Sequence, residues 1–92
     1  MSADRVARDL VVHGRVQGVF FRDSCRQEAR SAGVDGWVAN ASDGTVRAHL
    51  EGPPDAVDRV AAWAREGPGA ADVERVDVRE TEPDGCPGFE VR

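Results

Sequence analysis

The sequence predicts a small α+β domain in which one β-sheet carries two helices on a single face. Three observations favour this class: strand-like alternation of apolar and polar residues, a helical apolar spacing in two other segments, and glycine- and proline-rich turns between them. The 92 residues suffice for one domain, residues 1–92, and not for two. With 40% hydrophobic and 32% charged residues, the composition is globular. Residues 1–4 are expected to form a disordered tail.

The first half of the chain is predicted to fold as a strand, a loop and a helix. Arg5–His13 alternates like a strand, and Gly14–Phe20 follows as a loop with two glycines. From about Phe21 to Ala32, small and apolar side chains recur at helical spacing. Gly33 is a suitable C-cap, because glycine readily adopts the left-handed backbone that ends many helices.

A hairpin and a second helix are predicted to follow. Val34–Asn40 and Thr45–Glu51 are strand-like, and Asp43-Gly44 between them is a strong hairpin signal. The two prolines of Gly52–Asp55 suit the first turn of a helix. That helix has an apolar stripe of Val57, Val60, Ala61 and Ala64, and it ends at the Gly-Pro-Gly turn of Gly67–Gly69. Two strands are predicted to follow, Val73–Thr81 and Phe89–Val91.

The element order β-α-β-β-α-β, with a short C-terminal strand, predicts a ferredoxin-like sandwich: a mostly antiparallel sheet with both helices on one face. In this topology the first two strands run in the same direction. The loop Gly14–Phe20 and Asn40 are therefore expected to meet at the same end of the sheet.

Charge and residue types exclude several functions. The formal net charge of −5 weighs against nucleic acid, which demands a basic face. All 12 basic residues are arginine, so Schiff-base chemistry and a phosphate-binding lysine are excluded, and arginine remains for holding anions. No apolar run reaches the roughly 18 residues of a membrane helix, and no signal peptide is recognisable. We therefore expect a soluble, cytoplasmic protein that binds neither nucleic acid nor membranes.

The segment from Gly14 to Arg22 joins a strand to a helix and has the features of an anion site. Free amides at a helix start, with loop amides beside them, attract anions. Arg22 lies in the first helical turn, where a cation is disfavoured unless an anion binds there. The alternative is a plain strand–helix connection with a solvated arginine.

Asn40, at the end of the second strand, also has two interpretations. Asparagine often begins a turn. Alternatively, its neutral amide orients a water molecule beside a phosphate, which a carboxylate could not do without repulsion.

The remaining side chains that could act in catalysis or bind a metal are expected to be structural. Cys25 lies one helical turn after Phe21 and should face the core, whereas Cys86 is expected to be an exposed bystander in a turn. A cytoplasmic chain would keep both thiols reduced. The other candidates have no partner at triad, metal or paired spacing; they are His13, His49, Asp9, Asp43 and Glu51. His13 is expected on a strand surface; the alternative is that it touches the site, because it flanks the loop.

Two motifs in register resemble the signatures of the acylphosphatase family. The first is Gly14-Arg15-Val16-Gln17-Gly18-Val19-Phe20-Phe21-Arg22. The second is Gly36-Trp37-Val38-Ala39-Asn40 with Asp43-Gly44-Thr45-Val46 after it. The end of the chain, Gly88–Arg92, is similar to the family's closing strand. The resemblance covers about Arg5 to Arg92.

The resemblance implies a ferredoxin-like, monomeric enzyme that hydrolyses small acyl phosphates to a carboxylate and inorganic phosphate, without a metal or another cofactor. It assigns phosphate binding to Arg22 and to the loop amides of Gln17, Gly18, Val19, Phe20 and Phe21, and orientation of the attacking water to Asn40. Position 41 is alanine, where some members carry a hydroxyl residue. If that hydroxyl helps to hold the asparagine or the water, this chain would be slower.

Other function classes stay open from the sequence. One is a non-catalytic anion-binding module, because fold does not fix function. Another is the acylphosphatase-like domain at the front of larger hydrogenase-maturation proteins that handle carbamoyl phosphate, although a chain ending at Arg92 favours the free enzyme. A third is an RNA-binding domain, which the acidic charge disfavours.

Overall fold

A computed structural model describes residues 4–92 and contains two helices and five strands. The predicted tail, residues 1–4, lies outside the described residues except for Asp4, which is exposed. The elements are β1 (Val6–Arg15), α1 (Phe21–Ala32), β2 (Asp35–Asn40), β3 (Val46–Gly52), α2 (Pro54–Ala64), β4 (Asp72–Thr81) and β5 (Phe89–Val91). Neither helix of this part of the chain has the length and apolar character needed to cross a membrane.

The sheet has the strand order β4-β1-β3-β2-β5. The first four strands pair antiparallel, and β5 lies parallel to β2 at the edge. The ferredoxin-like prediction is therefore confirmed, with one parallel strand added to an antiparallel sheet. The helices contact each other and cover one face of the sheet.

The core lies between that face and the two helices. Val12, Val38 and Leu50 of the sheet are fully buried, as are Val57 and Val60 of α2. The alternation predicted for β4 holds only in part, because Val76 is buried whereas Val78 is exposed. Val78 lies further along an edge strand, beside Leu10 of β1.

The predicted boundaries differ from the observed ones mainly at β1, which runs two residues further, to Arg15. A bulge between His13 and Gly14 shifts the register, after which Gly14 pairs with Val73 and Arg15 with Asp72. The loop before α1 is therefore shorter than predicted and spans Val16–Phe20. At the other end of α1, Gly33 has a φ of 76° and is the left-handed C-cap that the sequence predicts.

Gly36 offers a test of how closely β2 and β3 approach. Its φ is 138°, and a Cβ there would overlap the backbone carbonyl oxygen of His49. We expect Gly36→Ala to lower the free energy of unfolding by about 3 kcal/mol or more, since backbone strain and overpacking add. Urea unfolding followed by circular dichroism measures this loss.

Gly85 provides the matched control, because its φ is 79° and a Cβ there meets open space. Gly85→Ala isolates the backbone strain and should cost about 1 kcal/mol. Equal losses in the two variants would contradict the close approach.

Candidate active site

The strand pairing brings the first loop and Asn40 together. Val46 of β3 lies opposite Val12 of β1 on one side and opposite Asn40 of β2 on the other. Because β1 and β2 both run antiparallel to β3, their C-terminal ends share one end of the sheet. The expected juxtaposition of the loop and Asn40 is confirmed.

A cavity of about 350 Å³ opens at this end of the sheet. Arg22 and Asn40 both line it, together with Gly18, Phe20 and Phe21 of the predicted phosphate-binding segment. The remaining lining residues are Val16, Asp23, Arg26 and Val91. The cavity therefore combines an apolar wall with two arginines, one carboxylate and one carboxamide.

The backbone before α1 is shaped to start a helix at the cavity. Gly18 and Phe20 both have left-handed backbones, with φ of 75° and 62°. Phe20 is the N-cap, without a side-chain hydrogen bond to the first turn, and its carbonyl accepts a hydrogen bond from the Ser24 amide at 3.0 Å. The first amides of a helix have no acceptor within it, so they are available to an anion, which the helix dipole also attracts.

Arg22 is held by Arg92, the residue that follows β5. Its Nη1 donates a hydrogen bond to the backbone oxygen of Arg92 at 3.1 Å. A guanidinium has five N–H donors, so this contact fixes the side chain and leaves further donors for an anion.

Arg26 is a second arginine of the cavity that the sequence analysis did not single out. It follows Arg22 by one helical turn, so the i, i+4 spacing could have identified it. Its Nη2 lies 2.7 Å from Oδ1 of Asp23, which also lines the cavity. The two opposite charges therefore offset each other at the rim.

Gln17 and Val19, both predicted to bind phosphate through their amides, are not among the lining residues. Val19 packs against the core. The Gln17 carboxamide donates two hydrogen bonds, to the carbonyls of Ala41 at 2.8 Å and Thr45 at 2.9 Å. Gln17 thereby ties the loop to the hairpin that follows Asn40.

That hairpin is closed by Asp43. Its Oδ1 accepts hydrogen bonds from the Thr45 hydroxyl at 2.6 Å and the Thr45 amide at 3.0 Å. These bonds lower the pKa of Asp43, and nearby Arg47 adds to the effect. Asp43 therefore acts within the turn and is not among the cavity-lining residues.

Two other sequence expectations hold. Cys25 is buried in the core, and burial together with the charge of Glu28 raises the pKa of its thiol to about 12, which makes it a poor nucleophile. His13 lies on the sheet surface, with its Nε2 at 2.9 Å from Oδ2 of Asp77.

The face of the sheet away from the helices holds a buried polar network, because His49 and Glu51 alternate with the core residues Ala48 and Leu50 along β3. This network corrects the expectation that His49, Asp9 and Glu51 have no partners. Nδ1 of His49 lies 2.8 Å from Oδ1 of Asp9, and its Nε2 lies 2.7 Å from Oε2 of Glu51. Asp9 is directly opposite His49 in the pairing of β1 with β3. Asp9 meets His49 only across strands, so sequence spacing could not reveal that contact. His49 and Glu51 are two residues apart on β3, and this spacing, which places both side chains on one face of the strand, could have identified them.

Glu51 also corrects the expectation for Cys86. The two oxygens of the fully buried Glu51 carboxylate accept the backbone amides of Asp84, at 2.7 Å, and Cys86, at 2.6 Å. Cys86 is half-buried, and its amide helps to hold the loop before β5. It is therefore part of a network and not an exposed bystander.

His49, Glu51 and Cys86 offer ligand atoms within 4.8 Å of one another, the spacing of a metal site. Hydrogen bonds already engage His49 Nε2 and both Glu51 oxygens. Glu51 lies five residues along β3 from Val46, roughly 17 Å from the cavity end of the strand. This group therefore lies outside the cavity.

A family model, curated sequences and a solved structure that are similar to this chain all belong to one family. The family model described as Acylphosphatase matches residues 8–91. A curated acylphosphatase of Thermococcus kodakarensis is 52% identical over 95% of this chain and 96% of its own length. One of Thiobacillus denitrificans is 54% identical over 90% of this chain and 92% of its own. A solved acylphosphatase structure from Coxiella burnetii has a TM-score of 0.93 at 36% identity, with 97% and 94% of the two chains covered.

The His49 network makes stability depend on pH. Burial alone would lower the pKa of His49, but the hydrogen bonds and charges of Asp9 and Glu51 outweigh it and raise the pKa above 6.5. A raised folded-state pKa stabilises the fold fully below the unfolded value and loses that contribution as pH rises through the folded value. We expect the free energy of unfolding to fall over this interval, measured by urea titrations between about pH 6 and pH 9.

The control for this prediction is His49→Gln, which removes the titrating ring. The fall assigned to His49 should then vanish. If the variant shows the same decline as the wild type, another group is responsible.

Proposed function

The chain belongs to the acylphosphatase family of hydrolases acting on acid anhydrides, and on that premise we propose how its cavity hydrolyses an acyl phosphate. The observation that carries the proposal is that Arg22, in the first turn of α1, and the neutral Asn40, from the end of β2, line one small cavity. The cation at the start of α1 suits a dianionic phosphoryl group, and the neutral carboxamide at the end of β2 suits a water molecule.

The phosphoryl group binds to Arg22 and to the backbone amides from Gln17 to Phe21. Two features support this role: the left-handed backbone at Gly18 and Phe20, and the start of α1 directly behind them. A helix N-terminus favours an anion, and arginine binds phosphate with parallel hydrogen bonds. The hydrogen bond from Arg22 to the backbone oxygen of Arg92 orients the guanidinium before substrate arrives.

Asn40 orients the attacking water. Its side chain is exposed at the end of β2, on the cavity. A carboxamide offers both a hydrogen-bond acceptor and a donor, and so can fix a proton and a lone pair of one water molecule. Being neutral, it does not repel the phosphate.

The reaction needs little more than this arrangement. Water oxygen bonds to phosphorus while the bond from phosphorus to the bridging oxygen breaks, and the electron pair leaves with the carboxylate. The conjugate acid of such a leaving group has a pKa of about 4, so no general acid is required. A phosphate oxygen of the substrate accepts the proton of the water, because a loose transition state demands little of a base. Positioning and charge stabilisation remain for the protein.

This chemistry agrees with the side chains around the cavity. Neither His13 nor His49 is among its lining residues, and the one lining carboxylate, Asp23, is paired with Arg26. The proposal therefore assigns no proton transfer to a protein side chain.

We also propose a cytoplasmic monomer that binds no nucleic acid. The free thiols of Cys25 and Cys86 agree with a reducing compartment. The net charge of −5 opposes binding to a phosphate backbone.

The proposal is tested by the hydrolysis of benzoyl phosphate in the presence of a metal chelator. We expect turnover of this acyl phosphate and none of an aryl phosphate monoester, whose leaving group is poorer. Arg22→Gln should lower kcat/KM by roughly 100-fold to 1,000-fold, the usual effect of losing one donor to the transition state.

Arg59→Gln is the matched control, because it removes one arginine from the exposed face of α2, where Arg59 pairs with Glu28. Its activity should equal that of the wild type. Turnover near normal in Arg22→Gln would refute the mechanism. Phosphate binding without any turnover in the wild type would instead favour a non-catalytic anion-binding module.

Variants of Asn40 distinguish an effect on turnover from an effect on phosphate binding. Asn40→Ala should lower kcat by about 100-fold while competitive inhibition by inorganic phosphate stays within about twofold, since the variant loses water orientation alone. Asn40→Asp keeps the shape and adds a negative charge, so it should weaken phosphate inhibition as well. Equal losses of kcat and phosphate binding in Asn40→Ala would contradict the water-orienting role.

A further inference from the structure

The cavity has an apolar side that the hydrolysis of a phosphate does not use. Three large hydrophobic side chains are exposed among residues 4–92: Phe20 at 80%, Val78 at 42% and Val91 at 37%. Two of the three, Phe20 and Val91, line this cavity. Single exposed apolar residues are ordinary on protein surfaces, but their concentration beside a polar cavity indicates a binding surface.

Phe20 has a backbone conformation that phenylalanine rarely adopts. It is the single non-glycine residue of the described chain with a positive φ, at 62°. A bulky side chain in this region is strained, and glycine or asparagine would adopt it more easily. The side chain of Phe20 does not cap the helix, and its exposed ring is not part of the buried core. The fold itself therefore gives no reason for phenylalanine at this position.

The charges around the cavity indicate which kind of substituent on the phosphate the apolar side can bind. When a phosphate occupies Arg22, the remaining lining charges are those of Arg26 and Asp23, which pair at 2.7 Å. No unpaired cation among the lining residues then remains for a second anionic group. A volume of about 350 Å³ is near the lower limit for small-molecule sites and suits a phosphate with one ring-sized substituent.

We propose that Phe20 and Val91 form a binding subsite for the acyl group, and that it selects acyl phosphates with apolar, preferably aromatic, acyl groups over those whose acyl group carries a further negative charge. This inference rests on the proposed function, because it assigns the acyl side of the same cavity. The ring of Phe20 contacts the face or edge of an aromatic acyl group, and Val91 contacts its other side.

The test compares kcat/KM for benzoyl phosphate with kcat/KM for acetyl phosphate. Comparing this ratio between variants cancels the intrinsic reactivities of the two substrates. In Phe20→Asn the ratio should fall about three-fold to ten-fold, which is the range for losing one aromatic contact. Asparagine tolerates the left-handed backbone, so the loop conformation is kept. Val91→Ala should lower the ratio about two-fold.

Val78→Ala is the matched control, because it shortens the third exposed hydrophobic residue, on β4 and outside this cavity. Its ratio should equal that of the wild type. Thermal unfolding gives a second readout: the Tm of Phe20→Asn should not fall, whereas a drop of more than about 4 °C would mean that the ring supports the fold.

Three results would overturn the subsite: a ratio in Phe20→Asn equal to that of the wild type, that drop in Tm, or a wild-type preference for succinyl phosphate, whose acyl group carries a carboxylate. The first and third results leave acyl phosphate hydrolysis intact, so they refute the subsite alone. If the wild type hydrolyses none of these substrates, the proposed function fails and the subsite fails with it.

Discussion

The register of β3 between β1 and β2 is the constraint on which the cavity depends. Val46 is paired with Val12 on one side and with Asn40 on the other, so the register of β3 determines where β1 and β2 end relative to each other. Because side chains alternate along a strand, a slip of one residue would turn the buried face of β3 outward. The burial of Val46, Ala48 and Leu50 opposes such a slip. Core packing thus sets the distance between the first loop and Asn40.

Two regions of this sheet carry different kinds of polar structure. At the cavity, the polar groups are left available: Asn40 is exposed, Arg22 has donors to spare, and the first turn of α1 has free amides. On the face away from the helices, His49 and Glu51 are buried, and their polar atoms are hydrogen-bonded to each other and to Asp9, Asp84 and Cys86. Satisfied buried groups rigidify a structure, whereas available groups bind ligands. The same strands therefore carry a hydrogen-bonded buried network and, at the cavity, polar groups that are available to a ligand.

The sequence predicted those parts of the fold that depend on local pattern. Helix α1 was predicted at its observed bounds, because its apolar spacing and Gly33 are local signals. The extension of β1 to Arg15 was missed, since the bulge at His13 and Gly14 appears only when β4 pairs with β1. The meeting of Asn40 and the loop was predictable from topology alone.

Side chains that meet across strands escaped sequence reasoning. Asp9 and His49 are 40 positions apart and lie opposite each other only because of the β1–β3 register. Arg26 was overlooked for a different reason: its helical spacing from Arg22 was visible, but an arginine on an amphipathic helix is ordinarily solvated. Only its contact with Asp23 beside the cavity distinguishes it.

A site made largely of backbone explains why so small a domain can hold it. Loop and helix amides bring no additional side chains that the modest core would have to support. Their positions depend on how the loop is anchored, and Gln17 anchors it with two hydrogen bonds to the hairpin after Asn40. In the proposed mechanism, Gln17 therefore links the loop that binds the phosphate to the hairpin beside the water-orienting Asn40. An amide bonded to two backbone carbonyls holds this distance without adding a charge near the proposed phosphate site. In that mechanism, the neutral carboxamide of Gln17 thus holds the binding loop and the water-orienting asparagine at a constant separation.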